Sequence, residues 1–188
     1  MRTIAKLLAL FFLFIMTSCA LSLYPLYTDK DLISDPNLLG IWAEKDSKET
    51  WEFIQGEDKA YKLIYTDDKG KKGEFIAHLM KIDDKLFIDV FPEELDIQQN
   101  DMYKGHFMPV HSFVYISKME PNPRVSNLEP KWLEKYLEKN PKAIRHEKID
   151  NGILLTAPPK ELQKFVLAHL KTDGAFEQSN DFERKKAE

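Results

Sequence analysis

The sequence predicts a mainly β fold: an antiparallel meander that closes into a barrel, with two helices in the C-terminal third. An α+β arrangement is the second choice. Three observations carry this. Turn signals recur every 11–14 residues, the segments between them alternate apolar and polar, and several segments are apolar on both faces. The composition permits it. The chain has 188 residues, 43% hydrophobic and 31% charged, the usage of an ordinary globular protein rather than a disordered or multi-span membrane chain.

The elements follow in order. The first strand begins at Gly40-Ile41-Trp42. Turn signals stand at Glu44-Lys45-Asp46-Ser47, Gly56-Glu57-Asp58, Asp67-Asp68-Lys69-Gly70 and Asp83-Asp84. Between them run Trp51 and Phe53; Tyr61, Leu63 and Tyr65; Phe75, Ala77 and Leu79; and Leu86, Ile88 and Val90. A further strand, Val110 to Lys118, follows a long patternless stretch. Asp150-Asn151-Gly152 turns a late hairpin between 144–149 and 153–156. Phe75-Ile76-Ala77 and Phe113-Val114-Tyr115-Ile116 are apolar on both faces. One face can fill a barrel while helices cover part of the other.

One helix opens at Pro130, places Trp132, Leu133, Tyr136 and Leu137 on one face, and stops at Pro141. A second starts near Thr156, a cap candidate, with Pro158 and Pro159 in its first turn. Leu162, Phe165, Val166, His169 and Leu170 form its stripe, and Gly174 ends it. Residues 175–188 read as a polar tail.

Gly40-Ile41-Trp42, with Asp35-Pro36-Asn37-Leu38-Leu39 before it, resembles the G-x-W opening of lipocalins and other calycin-like barrels. The resemblance implies a calycin-like barrel with the tryptophan packed across the closed end. It carries no binding residue with it, and the reading of Trp42 as a plain core aromatic stays open beside it.

The first twenty residues have the three regions of a secretory signal. Arg2 and Lys6 are positive, Leu7 to Met16 are ten apolar residues, and Thr17-Ser18-Cys19 are small. Met16-Thr17-Ser18-Cys19 resembles the lipobox of a bacterial lipoprotein, with methionine where leucine is usual. The resemblance implies lipidation of Cys19, cleavage before it and acylation (palmitate or a similar chain) of the new amine. The lipids would then anchor the protein in the cell envelope, at the outer membrane since Ala20 is not aspartate. Cleavage after Ala20 to a secreted form, and an uncleaved anchor over the charge-free Leu7–Tyr27, are the alternatives. The domain reading is therefore signal peptide 1–18, lipidated cysteine and tether 19–37, a barrel-like domain 38–174 and a tail 175–188. The mature chain would carry 25 basic and 31 acidic side chains.

The net charge of −4 lacks the basic footprint of a nucleic-acid binder. A lone cysteine excludes an internal disulfide and thiolate metal clusters. No nucleophile elbow, glycine-rich phosphate loop or compact metal-ligand spacing occurs, so no catalytic residue, metal or cofactor is assigned. Pro92 to Met108, with Glu93, Glu94, Asp96, Gln98, Gln99, Asn100 and Asp101, reads as a candidate rim or a solvated acidic connection. Asp89 sits on an apolar strand face between Phe87 and Phe91, where a carboxylate needs a partner. A hydrogen bond to a Tyr, Lys or His for structural reasons is the first reading, and a metal or catalytic site built from His78, His111 and Asp89 is the alternative. His106 and His111 are an odd interval apart and face opposite sides of a continuous strand. Aromatic residues are 12% of the chain. Trp42, Trp51, Tyr61, Tyr65, Phe87, Phe113 and Tyr115, with Asp89, form the candidate lining of a ligand cavity, against a solidly packed barrel.

The expected function is thus a membrane-anchored, non-enzymatic envelope lipoprotein that binds a small hydrophobic ligand or an envelope protein partner. The alternatives are an envelope hydrolase using His and Asp on the barrel face, and a purely structural or assembly role.

Overall fold

The computed structural model describes residues 20–93, 100–104, 106–150, 152–176 and 179–186. In chain order the elements are β1 (Leu21–Ser22), β2 (Gly40–Glu44), β3 (Thr50–Gln55), β4 (Ala60–Thr66), β5 (Lys72–Ile82), β6 (Lys85–Pro92), α1 (Asp101–Lys104), β7 (His111–Lys118), β8 (Arg124–Asn127), α2 (Pro130–Lys139), β9 (His146–Ile149), β10 (Gly152–Leu155), α3 (Pro159–His169) and β11 (Ser179–Lys185). Asp46, Asp58 and Asp83 take positive φ in the tight turns of the meander. Aspartate tolerates that conformation better than most side chains, so the acidic turn signals are conformational as well as polar.

β2 through β8 form a meander in which each strand pairs antiparallel with the next. β11 lies between β8 and β2, antiparallel to both, and closes eight strands into a barrel. The polar tail is therefore the last barrel strand. Among its residues whose burial is described, Phe182 is the one buried, and Arg124 grips Asp181 at 2.7 and 2.8 Å on the outside. So polar a strand reads as tail because its pairing partners, not its own side chains, hold it in place. β8 likewise lies in a stretch that has no strand signal of its own.

Residues 20–38 are also more than a tether. β1 pairs antiparallel with β7 and parallel with β10, and Leu26 is fully buried. The Ile33 amide donates to the Leu79 carbonyl at 3.0 Å. This segment straps the outer face of the barrel because its hydrogen bonds come from tertiary partners, which local sequence does not display.

Side-chain parity divides the core in two. Residues such as Trp42, Phe53, Leu63, Leu79, Ile88 and Val114 point inward and fill the barrel. Their neighbours, among them Met80, Phe87 and Phe113, point outward. Leu133 and Leu137 of α2 and Leu162, Phe165 and Val166 of α3 join this outer cluster. Pro158, not Thr156, precedes the first turn of α3, and the Thr156 amide instead donates to Arg145. The β9–β10 hairpin extends the sheet outside the barrel, joined through β1.

The barrel mouth as a candidate functional site

One end of the barrel is shut. The short turn Pro36–Leu38 places Leu38 beneath the strands, and the Trp42 indole donates to the Leu38 carbonyl at 2.7 Å. Arg184 of β11 lies 4.3 Å from the Trp42 ring and donates to the Leu39 and Asn37 carbonyls at 2.6 and 2.8 Å. Gly40 is required between them. Its φ is +116°, and an added Cβ would stand 2.6 Å from the Arg184 guanidinium. Trp42 thus seals the closed end, and the void beside it has a volume of only about 20 Å³.

The other end is open. A cavity of about 330 Å³ lies where β2 passes into β3, β4 into β5, and β6 toward β7. That is the lower range of small-molecule sites. Trp51, Leu63, Phe75, Val90, Val114 and Phe182 supply its apolar wall. Its rim is polar because the inward rows of five strands change character one step nearer the mouth. Trp42 is followed by Glu44, Trp51 is preceded by Glu49, Val114 by Ser112 and Phe182 by Asn180, and Val125 is followed by Asn127. All five polar residues line the cavity.

Acceptors dominate this rim. Asn180 Nδ2 donates to Glu44 Oε1 at 2.7 Å. Burial and the negative charge of Glu49 push the Glu44 carboxyl above its ordinary value, against the hydrogen bond from Asn180. Burial, then the charge of Glu49 and a hydrogen bond to it, push the Tyr65 hydroxyl up to about 12. Asn127 Oδ1 is buried with no hydrogen-bond partner among the described residues. None of the ion pairs among the described residues engages Glu44 or Glu49.

The predicted lining set does not form one wall. Trp42, Trp51, Tyr61 and Tyr65 belong to the barrel interior, but only Trp51 and Tyr65 reach the mouth. Tyr61 is fully buried near the closed end, where its hydroxyl accepts from the Asp35 amide at 2.7 Å. Phe87, Phe113 and Tyr115 have the opposite parity and pack outside, beneath the helices. Asp89 is also on the outer side. Glu44, Glu49, Asn127 and Asn180 also belong to the rim; the two-residue step from Trp42 and Trp51 marks Glu44 and Glu49, whereas Asn127 and Asn180 lie on β8 and β11, which carry no strand signal of their own.

His78, Asp89 and His111 do come together on the outer face. His78 is directly across from Asp89 in the β5–β6 pair. Asp89 is fully buried, its Oδ1 2.6 Å from His111 Nδ1, and its Oδ2 accepts the Leu26 amide at 2.9 Å. A carboxylate only accepts, so this contact places a hydrogen on Nδ1. Tyr27 packs on His78 at 4.7 Å and Phe91 on His111 at 4.4 Å. Burial lowers the His78 pKa, Asp89 raises it, and His111 lowers it further. Burial, with the charges of Asp89 and Asp29, raises that of Tyr27. Both Asp89 oxygens are thus engaged in holding β7 and the strap. Among the described residues no group of three or more His, Cys, Asp or Glu is placed to hold a metal, and no helix is long and apolar enough to cross a membrane.

In the stretch between β6 and β7, residues 94–99, with Glu94, Asp96, Gln98 and Gln99, lie outside the described residues, as do 1–19 with Cys19. Beyond them Met102, Tyr103, Phe107 and Met108 are exposed, and Tyr103 meets Phe107 edge-on at 5.1 Å. His106 Nδ1 lies 2.7 Å from the Met102 carbonyl, in a turn rather than on a strand. Comparison with protein-family models, with curated proteins and with solved structures gave no match.

Proposed function

We propose that this chain is an envelope lipoprotein, anchored through Cys19, whose barrel binds a small, largely hydrophobic molecule and performs no chemistry on it. The observation that supports binding is the cavity of about 330 Å³ at the mouth, walled by apolar side chains and rimmed by convergent polar ones. Met16-Thr17-Ser18-Cys19 supports the anchor. Ala20 is buried in the outer core, so a lipid on Cys19 would be one residue from the folded domain. Several acyl chains, at roughly 0.8 kcal/mol per buried methylene, would hold the domain at the outer membrane.

The test has two parts. Metabolic labelling with palmitate and membrane fractionation of the Cys19→Ala variant should show loss of label and of membrane retention. Retention at the wild-type level would sink the lipoprotein assignment. Native mass spectrometry of the protein purified from its host should show a co-purifying small molecule that a mouth variant loses.

A second reading, association with an envelope protein, draws on the exposed Met102, Tyr103, Phe107 and Met108. Four large apolar residues exposed within seven positions exceed the scattered exposure of a monomer surface.

A further inference from the structure

We infer that the mouth selects a small amphipathic cation, a primary or substituted ammonium on an apolar or aromatic body. The inference rests on the ligand-binding reading above and deepens it by naming the chemical class.

The cavity has an apolar floor and an electron-rich rim. Glu44 and Glu49 both border it, and neither has a basic partner among the described residues. They are close enough that the charge of Glu49 disfavours ionisation of Glu44. Two of the rim's donors are directed at these carboxylates: Asn180 Nδ2 donates to Glu44, and the Tyr65 hydroxyl is hydrogen-bonded to Glu49. Asn127 adds a buried acceptor without a partner among the described residues. A guest bearing a carboxylate or phosphate would add a third negative charge beside Glu44 and Glu49 and find no basic side chain among the cavity's lining residues.

An ammonium reverses each of these conditions. It brings several N–H donors and no acceptor, places positive charge between two carboxylates, and makes charge-assisted hydrogen bonds stronger than neutral ones. Its apolar body would lie against Trp51, Phe75 and Phe182, whose ring faces also attract a cation. The volume limits the guest to roughly the size of an arylalkylamine, because ligand sites of this kind hold their guests with little excess space.

The experiment compares three guests with one body and different heads: 2-phenylethylamine, 2-phenylethanol and 3-phenylpropanoate. Each is titrated calorimetrically into the full chain at pH 7 and low salt. The amine is expected to bind at least about tenfold more tightly than the alcohol, and the carboxylate more weakly than either. The double variant Glu44→Gln, Glu49→Gln, checked for folding by circular dichroism, should bind amine and alcohol with affinities equal to each other, the tenfold preference being lost. Equal binding of amine and alcohol, or an amine preference that survives in the double variant, overturns the inference while leaving a neutral-ligand site standing. If none of the three binds, the ligand-binding reading falls with it.

Discussion

The two ends of this barrel are built from the same strands and differ in how their polar groups are settled. At the closed end, the Trp42 indole N–H and the carbonyls of Asn37, Leu38 and Leu39 all have partners, supplied by one another or by Arg184. At the mouth, two carboxylates lack a counter-charge among the described residues, and one buried amide oxygen lacks a donor. One end behaves as a core and the other as a site. Stability should therefore depend steeply on the closed end and weakly, even inversely, on the mouth.

The largest effect should come from removing what joins the strands around both ends. Deleting residues 179–188 takes away β11, and with it the ladders to β2 and β8, the Arg184 contacts and Phe182 from the interior. An opened barrel leaves two unpaired edges and an exposed apolar face. The expected outcome is loss of the cooperative thermal transition followed by circular dichroism, with aggregation. A truncated chain that melts at the wild-type temperature would show that β11 is dispensable.

Next comes a direct comparison of two tryptophans paired across β2 and β3. Trp42→Ala should cost about 3–5 kcal/mol, the usual range for removing a buried aromatic. Its ring is buried on both faces and carries the Arg184 contact. Trp51→Ala should cost about half as much, because its ring borders a cavity that already exists. Urea denaturation of the two variants measures the difference. Equal losses would mean that the mouth is packed as tightly as the closed end.

Gly40→Ala isolates the backbone requirement of the same end. Alanine there faces a positive φ and a guanidinium 2.6 Å from its methyl group. The strain of the positive φ is about 1–2 kcal/mol, and Arg184 would have to shift as well. Arg184→Ala in the Gly40→Ala background should relieve the steric part, so a double-mutant cycle separates the two costs.

Much of this contrast could be read before the fold was known, and the reason is local. β2 to β6 have short acidic turns and clean alternation, so each hairpin is specified by contiguous residues. β8 and β11 are not, since Arg124-Val125-Ser126-Asn127 is too short for a period and β11 contributes Phe182 as its one large inward apolar residue. Closure of the barrel depends on pairings between residues about 140 positions apart, which a window of a dozen residues does not contain. The strap over the outer face is hidden in the same way. Its Leu26 is buried by an Asp89–amide hydrogen bond and a Gln163–carbonyl hydrogen bond, both long-range. The site was legible in part. Parity within a strand separates Phe87 and Asp89 from Ile88 and Val90, but does not say which set faces the barrel interior. Four of the eight lining candidates, Phe87, Asp89, Phe113 and Tyr115, therefore lie outside the barrel.

The smallest effect should also have the opposite sign. Burial and the charge of Glu49 raise the Glu44 pKa in the folded state, so the fold disfavours the ionised form. A group whose folded pKa lies above its unfolded value stabilises below the unfolded value, and that contribution is lost as pH rises through the folded one. At pH 7 the wild type bears the full penalty, which solvent screening at this half-exposed position limits to a few tenths of a kcal/mol. Glu44→Gln removes the charge and can still accept from Asn180. It should raise the melting temperature slightly at pH 7, with the gain fading as pH falls through the raised folded value and gone below the ordinary glutamate value of about 4.3. Thermal melts across pH 4 to 8 would show it. If the substitution destabilises at pH 7, Glu44 is a structural partner of Asn180, and the mouth must be counted with the closed end rather than against it. If it stabilises while amine binding weakens, the carboxylate is retained at a cost to the fold, as expected of a residue placed for a guest.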